Sequence, residues 1–287
     1  MWKIIFLPIL LCLVSCIDKD VEMGEPNKEE VLNEMETPEK RITDFPPVDV
    51  LKEFPAYAKP VIIANVKKQT QEMSTISSGY GGVFWGTSNE GWPIYDGRFM
   101  VAALSIRVDE LPSVPDHLEG IALLNIFIDH SEHPEEDGAT IIRTYPSLDG
   151  LQPIDIPTKE IADFHSIAWK ATTDYPDGTM LEYKLLWDEI KKDFDDHERR
   201  RAIEGQYWAQ FEEHHDEIQQ SFPNHSGLKI GGWPTMIQVS PIAFLADEDP
   251  GYLAQLDSTV IYSFYDDGIG YLMKWDGKFV MSGWTSH

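Results

Sequence analysis

Short apolar runs rich in β-branched and aromatic residues recur at 61–66, 99–108, 121–128, 140–145, 252–256, 259–265, 269–275 and 278–284. Runs of this length and composition fit a pleated, half-buried surface and predict strands. Asp-Gly pairs punctuate them at 96–97, 137–138, 149–150, 177–178, 267–268 and 276–277. Asp-Gly accepts the positive φ of tight hairpin turns. The clearest hairpins turn at Asp276-Gly277, between Tyr271 and Met281, and at Asp96-Gly97.

One block, 180–222, carries a helical period instead. Trp187, Ile190 and Phe194 follow that spacing, as do Ile203, Tyr207, Phe211, Ile218 and Phe222. Thr179 with Glu182 reads as a capping box, Gly205 as a candidate break, and Pro223 as the stop. The opposite face is acidic (Asp193, Asp195, Asp196, Glu198, Glu212, Glu213, Asp216, Glu217) and reads as a solvated face. Strands on both sides of a helical block give an α+β fold, mostly antiparallel. Gly91-Trp92-Pro93 recurs as Gly232-Trp233-Pro234. Each is followed by an apolar strand (101–104 and 252–255) and then by Gly-Ile (120–121 and 268–269). This pattern predicts two related β units, an internal duplication.

The same residues resemble the YwqG-like family of uncharacterised bacterial proteins. In the first half they are Gly81-Gly82, Trp92-Pro93, the strand 99–106, Leu111-Pro112 and the Gly-led strand 120–127. In the second half they are Gly232-Trp233-Pro234, Ile237-Gln238, Leu253-Ala254-Gln255-Leu256-Asp257, and Asp267-Gly268 before the strand 269–275. Two positions depart from the pattern: Phe84 stands where the first half usually has Pro, and Asp266-Asp267-Gly268 replaces Gly-Asp. The resemblance covers roughly 78–284 and implies an α+β fold with much antiparallel sheet. It implies no established reaction, and some relatives look like immunity or interaction modules beside toxin genes.

The N-terminus carries an address. Lys3 precedes an apolar run at 4–14, and Leu13-Val14-Ser15-Cys16 resembles a bacterial lipobox. That run is short of the roughly 20 residues a membrane span needs, so 1–16 reads as a signal peptide with Cys16 as the lipidated residue. Residues 17–47 are polar and read as a disordered acidic tether, and 48–287 as the folded domain. No other stretch is long and apolar enough to predict a transmembrane helix. The only cysteines are Cys12 and Cys16, so the mature chain would be exported without an internal disulfide.

Of the 287 residues, 23 are Lys or Arg and 49 are Asp or Glu, for a formal net charge of −26. That field repels nucleic-acid backbones and attracts basic proteins. No nucleophile elbow and no phosphate loop is present. Asp129, His130, His133 and Glu135-Glu136-Asp137 are N/O donors that could suit a divalent ion, but Pro134 and Gly138 mark an ordinary exposed loop. His214-His215 lack the i, i+4 spacing that places two ligands on one helix face. No metal and no cofactor is expected. Trp85, Trp92, Trp233, Trp275 and Trp284 are core candidates that could also stack on a sugar or peptide. Gln238, Gln255 and Asp257 are polar at strand positions and Asp267 leads a strand; if buried, they must be hydrogen-bonded. The candidate binding residues are therefore Trp92, Trp233, Gln238, Gln255, Asp257 and Asp267. The expected function is a binding or interaction module at the cell envelope, with an immunity role as one form. It is held to a membrane through Cys16, with a basic protein as partner. The alternative is a carboxylate-dependent hydrolase acting on sugars or peptides.

Overall fold

The structure, a computed structural model, describes residues 49–68, 75–129, 138–155, 163–192, 197–236, 251–257 and 268–285. All of these lie in the unit Phe45–His287. Cys16, the tether, the loop with His130 and His133, Gln238, the strand expected at 259–265, and Asp267 lie outside the described residues.

The chain enters through a short helix, α1 (Val50–Glu53), which Asp49 caps by accepting from the Lys52 N–H. It continues through strands β1 (Lys59–Lys68), β2 (Gly79–Tyr80), β3 (Trp85–Gly86), β4 (Ile94–Tyr95), β5 (Arg98–Phe99), β6 (Val101–Arg107), β7 (Leu123–Ile128) and β8 (Thr140–Tyr145). Then come β9 (Gln152–Pro153) and β10 (His165–Asp174). Three helices follow: α2 (Gly178–Lys192), α3 (His197–Glu213) and α4 (His215–Ser221). Strands β11 (Lys229–Gly231), β12 (Tyr252–Asp257), β13 (Ile269–Trp275) and β14 (Lys278–Thr285) close the fold. The fold is mixed α+β and mostly antiparallel.

Ten strands form one sheet in the order β14-β13-β12-β11-β1-β10-β2-β6-β7-β8. Its edge strands β14 and β8 lie beside each other, so the sheet is nearly closed. The long central ribbon pairs β1 with β10, Lys59 opposite Asp174 and Lys68 opposite His165. On each flank a short strand, then a three-strand meander, continues the sheet. Alternation sorts the side chains. Ile62, Leu104, Ile106, Leu124, Ile126, Ile167, Ile230 and Leu272 share the main core cluster. The intervening residues face outward, where a second cluster of Phe84, Trp92, Met100, Phe127 and Ile154 covers the first flank. Ile269, Tyr271 and Met273 form the corresponding cluster on the other flank. The helices have their own core, in which Phe54, Leu181, Leu186, Ile203, Tyr207 and Ile218 meet.

The flanks match in backbone detail. Gly81 and Gly82 follow β2 with φ of 65° and 66°; Gly231 and Gly232, at the end of β11, have 73° and 72°. The β6–β7 register shifts between Ala102 and Leu104, and the β12–β13 register between Tyr252 and Ala254. Gly91-Trp92-Pro93 and Gly232-Trp233-Pro234 do not occupy matching places. The first lies between β3 and β4, and the second overlaps the end of β11.

Both expected Asp-Gly hairpins are present. Asp96 and Gly97 (φ 45° and 74°) turn β4 into β5, and Asp276 and Gly277 (φ 48° and 73°) turn β13 into β14. The helical block differs from expectation in two ways. The cap of α2 is Asp177, whose Oδ1 accepts the Met180 N–H, because the helix already begins at Gly178. Glu182, expected in a capping box, instead accepts from the Trp208 indole of α3. Gly205 breaks nothing: it lies inside α3 with open space around it.

Candidate functional site

The chemistry-bearing side chains of the second flank converge where the chain returns from the helical block into β11. Leu228 and Ile230 point into the main core, so alternation turns Lys229 to the other face. There the segment 233–236 covers it, and its side chain is 0% exposed, as is that of Asp174 at the end of β10. Lys229 Nζ lies 2.9 Å from Asp174 Oδ2 and 3.5 Å from Thr235 Oγ1. The Trp233 main-chain N–H donates to the same Oδ2 at 2.7 Å, and the His225 N–H to Oδ1 at 2.7 Å. Gly232 is required at this corner. Its φ is positive, and an added Cβ would overlap the Asp174 carboxylate.

A second ring of bonds fixes the covering segment. Gln255 Oε1 accepts the Thr235 N–H at 2.9 Å, and Gln255 Nε2 donates to the Gly227 carbonyl at 3.0 Å. Thr235 Oγ1 donates to Asn224 Oδ1 at 2.8 Å, and the Tyr271 hydroxyl to the Thr235 carbonyl at 2.7 Å. Asp257 Oδ2 accepts the Gly227 N–H at 3.1 Å. Asp177 joins the cap of α2 to this segment by accepting the Met236 N–H at 2.7 Å. Burial pushes the Lys229 amine below its ordinary value, and Asp174 beside it opposes the push. Burial pushes the Asp177 carboxyl up, against the hydrogen bonds it accepts.

The first flank solves the same covering problem without an ion pair at that place. Ser105 Oγ donates to Asn125 Oδ1 at 2.8 Å, and Asn125 Nδ2 donates to the Trp85 carbonyl at 2.8 Å. Tyr145 donates to Glu90 Oε2 at 2.9 Å. Burial raises Glu90, but bonds from Thr87 and Tyr145 and the charge of Arg143 outweigh it and hold the carboxyl below its ordinary value. Burial and the Glu90 partner push Tyr145 up to about 12.

Four of the six candidate binding residues are described. Trp92 is 9% exposed, its indole N–H donates to the Met100 carbonyl at 2.7 Å, and Phe127 packs edge-on against it. Trp233 is 5% exposed, donates to the Tyr57 carbonyl at 2.6 Å, and lies under the Lys59 ammonium. Neither ring offers an open stacking face. Gln255 and Asp257 belong to the knot around Thr235 and Gly227. The structure thus brings Trp233, Gln255 and Asp257 together and leaves Trp92 on the other flank. The residues missed are Asp174, Asp177, Lys229 and Thr235. One signal for Lys229 is its place in Leu228-Lys229-Ile230, a charge between apolar neighbours before Gly-Gly.

Two further ionisable clusters lie on the helices. Glu182 is 9% exposed, and burial pushes it up to about 7, helped by Glu204 and opposed by the Trp208 bond. An open depression at the α3–α4 turn is lined by Glu212, Glu213, His214, His215, Asp216 and Glu217. Among the described residues no three His, Cys, Asp or Glu side chains are grouped to hold a metal ion. No helix among them is long and apolar enough to cross a membrane.

No protein-family model matches the chain, and no curated protein matches it.

Proposed function

We propose that this chain is a YwqG-like lipoprotein of the bacterial cell envelope, anchored through Cys16, whose domain captures a cationic protein partner. The observation that carries the reading is where the charge sits. Among the described residues the one buried cation, Lys229, is paired with Asp174 at 2.9 Å, and the buried Asp129 with the exposed Arg98 at 3.0 Å. The chain carries 49 acidic against 23 basic side chains, and among the described residues Glu212, Glu213, Asp216 and Glu217 are exposed on the helices. Such a field accelerates encounter with a basic partner and is screened by salt. The two matching flanks support descent from one duplicated β unit, with Gly81-Gly82 and Gly231-Gly232 as its equivalent corners.

The full chain, displayed on its native membrane, serves as bait for envelope and secreted proteins at low and moderate salt. One basic partner, bound at low salt and released as salt rises, is the expected result. Equal capture of acidic and basic proteins without salt dependence contradicts the reading. A carboxylate-dependent hydrolase is the second reading, favoured by Glu182, a largely buried carboxyl raised to about 7, near the range a general acid needs. Turnover of a glycan or peptide substrate by the chain, abolished in Glu182→Gln, would establish it; no turnover dismisses it.

A further inference from the structure

Lys229 is the least expected residue of the sheet. β2 and β11 hold the same place on either side of the central ribbon, and each leads into two glycines of positive φ. Where β11 has Lys229 opposite Ile63, β2 has Gly79 opposite Ser166, with the Phe164 ring packed where a Cβ would go. The fold therefore closes at this position with no side chain at all. A buried ion pair contributes little net stability over apolar residues of the same shape. Its presence points to chemistry between the two groups.

The pair is arranged for that chemistry. Amine and carboxyl are in contact at 2.9 Å, both 0% exposed, and both set on paired strands of the sheet. Such placement replaces a bimolecular encounter and raises the effective concentration by orders of magnitude. Each Asp174 oxygen carries a main-chain donor, Trp233 on Oδ2 and His225 on Oδ1, so an oxyanion formed on either is stabilised in place. Exclusion of water lowers the amine toward its neutral, nucleophilic form. Asp177, whose charge acts on Lys229, adds a second carboxyl that burial pushes toward the protonated form.

We propose that Lys229 and Asp174 condense into an intramolecular isopeptide bond. A proton passes from the ammonium to the carboxylate, leaving an amine and a carboxylic acid. The Nζ lone pair attacks Cγ of Asp174, and a C–N bond forms. One Cγ–O bond then breaks, and that oxygen leaves as water with the transferred proton and one more from Nζ. Nothing is oxidised or reduced, and no co-reactant is consumed. The amide removes two buried charges and joins the end of β10 to β11 across the inserted helical block. It would give an exported domain with no internal disulfide a covalent staple, although the inference does not depend on export.

The test is a digest of the purified full chain, denatured and reduced, read by mass spectrometry. Trypsin cannot cleave after an acylated lysine. The expected product is a branched peptide joining 171–184 to 202–274, lighter than its two parts by one water. In Lys229→Arg, which keeps the charge but forms no such amide, the branched peptide is absent. Recovery of 171–184 as a free linear peptide, with complete cleavage after Lys229, overturns the proposal. Because the readout is covalent mass, a variant that unfolds still reports.

Discussion

The two flanks of the sheet meet the same structural demand with different chemistry. Each must pin a covering segment over an outward face whose strands would otherwise be open. The first flank uses a neutral pair, Ser105 and Asn125, to hold the Trp85 carbonyl, and packs Phe84, Trp92 and Phe127 around it. The second uses Gln255 and Tyr271 to hold Thr235, and adds Lys229 with Asp174 beneath. The covering corner of the first flank, where no ion pair sits, shows what the fold requires there, and the Lys229–Asp174 pair is what remains after that requirement is met. Buried neutral polar groups need only partners, whereas a buried charge needs a counter-charge and further donors.

Breaking the ionic pair is the sharpest way to separate the flanks. Asp174→Ala leaves Lys229 buried without its counter-charge, and the expected loss is about 3–5 kcal/mol in urea unfolding. The glycine corners come next. Gly232→Ala forces a left-handed residue against the Asp174 carboxylate, for an expected loss of about 2–4 kcal/mol. Gly79→Ala meets the Phe164 ring and the His165 main-chain carbonyl, but its φ is not left-handed, so about 1–3 kcal/mol is expected, without the backbone strain that Gly232 adds. The neutral holders are expected to be alike. Asn125→Ala and Gln255→Ala should each lower stability by about 1–3 kcal/mol, since each strands buried groups on its own flank. A Gln255 loss far above that of Asn125 would mean that the flanks are not equivalent supports.

The smallest expected effect lies in the helical layer and depends on pH. Burial holds the folded Glu182 at about 7, above its ordinary 4.5. Its stabilising contribution is therefore complete below about pH 4.5 and lost as pH rises through about 7. Glu182→Gln removes that dependence. It should raise the melting temperature at pH 8 relative to the native chain and change it little at pH 5. The gain is on the order of 1 kcal/mol once solvent screening is allowed for. Equal shifts at both pH values would contradict the assignment.

Much of this architecture was legible in the residue pattern, because long apolar runs and Asp-Gly turns are local signals. The strands at 61–66, 121–128 and 269–275 and both hairpin turns follow from them. β10 is not legible: Ile167 and Trp169 lie on one face, but Ala168 between them and Ala171, Thr172 and Thr173 after them blur the alternation. β2 and β11 are too short to carry any period, and only sheet pairing defines them. Ser/Thr-x-x-Glu is a local motif and points to Thr179 as the cap of α2, whereas Asp177 is fixed by its second bond, to Met236, distant in sequence. At the site, Gln255 and Asp257 could be suspected as polar residues in strands. Asp174 and Lys229, which they surround, are 55 residues apart, and only the fold brings them together.

The most direct measurement is a double-mutant cycle on the pair that distinguishes the two flanks: Lys229→Met, Asp174→Leu and both together, by urea unfolding of the full chain. The expected result is strong coupling, with the double variant more stable than either single one, because neither charge is then left alone. Additive losses, with the double variant the least stable of the three, would contradict the view that Lys229 and Asp174 act as one unit added to a fold that does not require them.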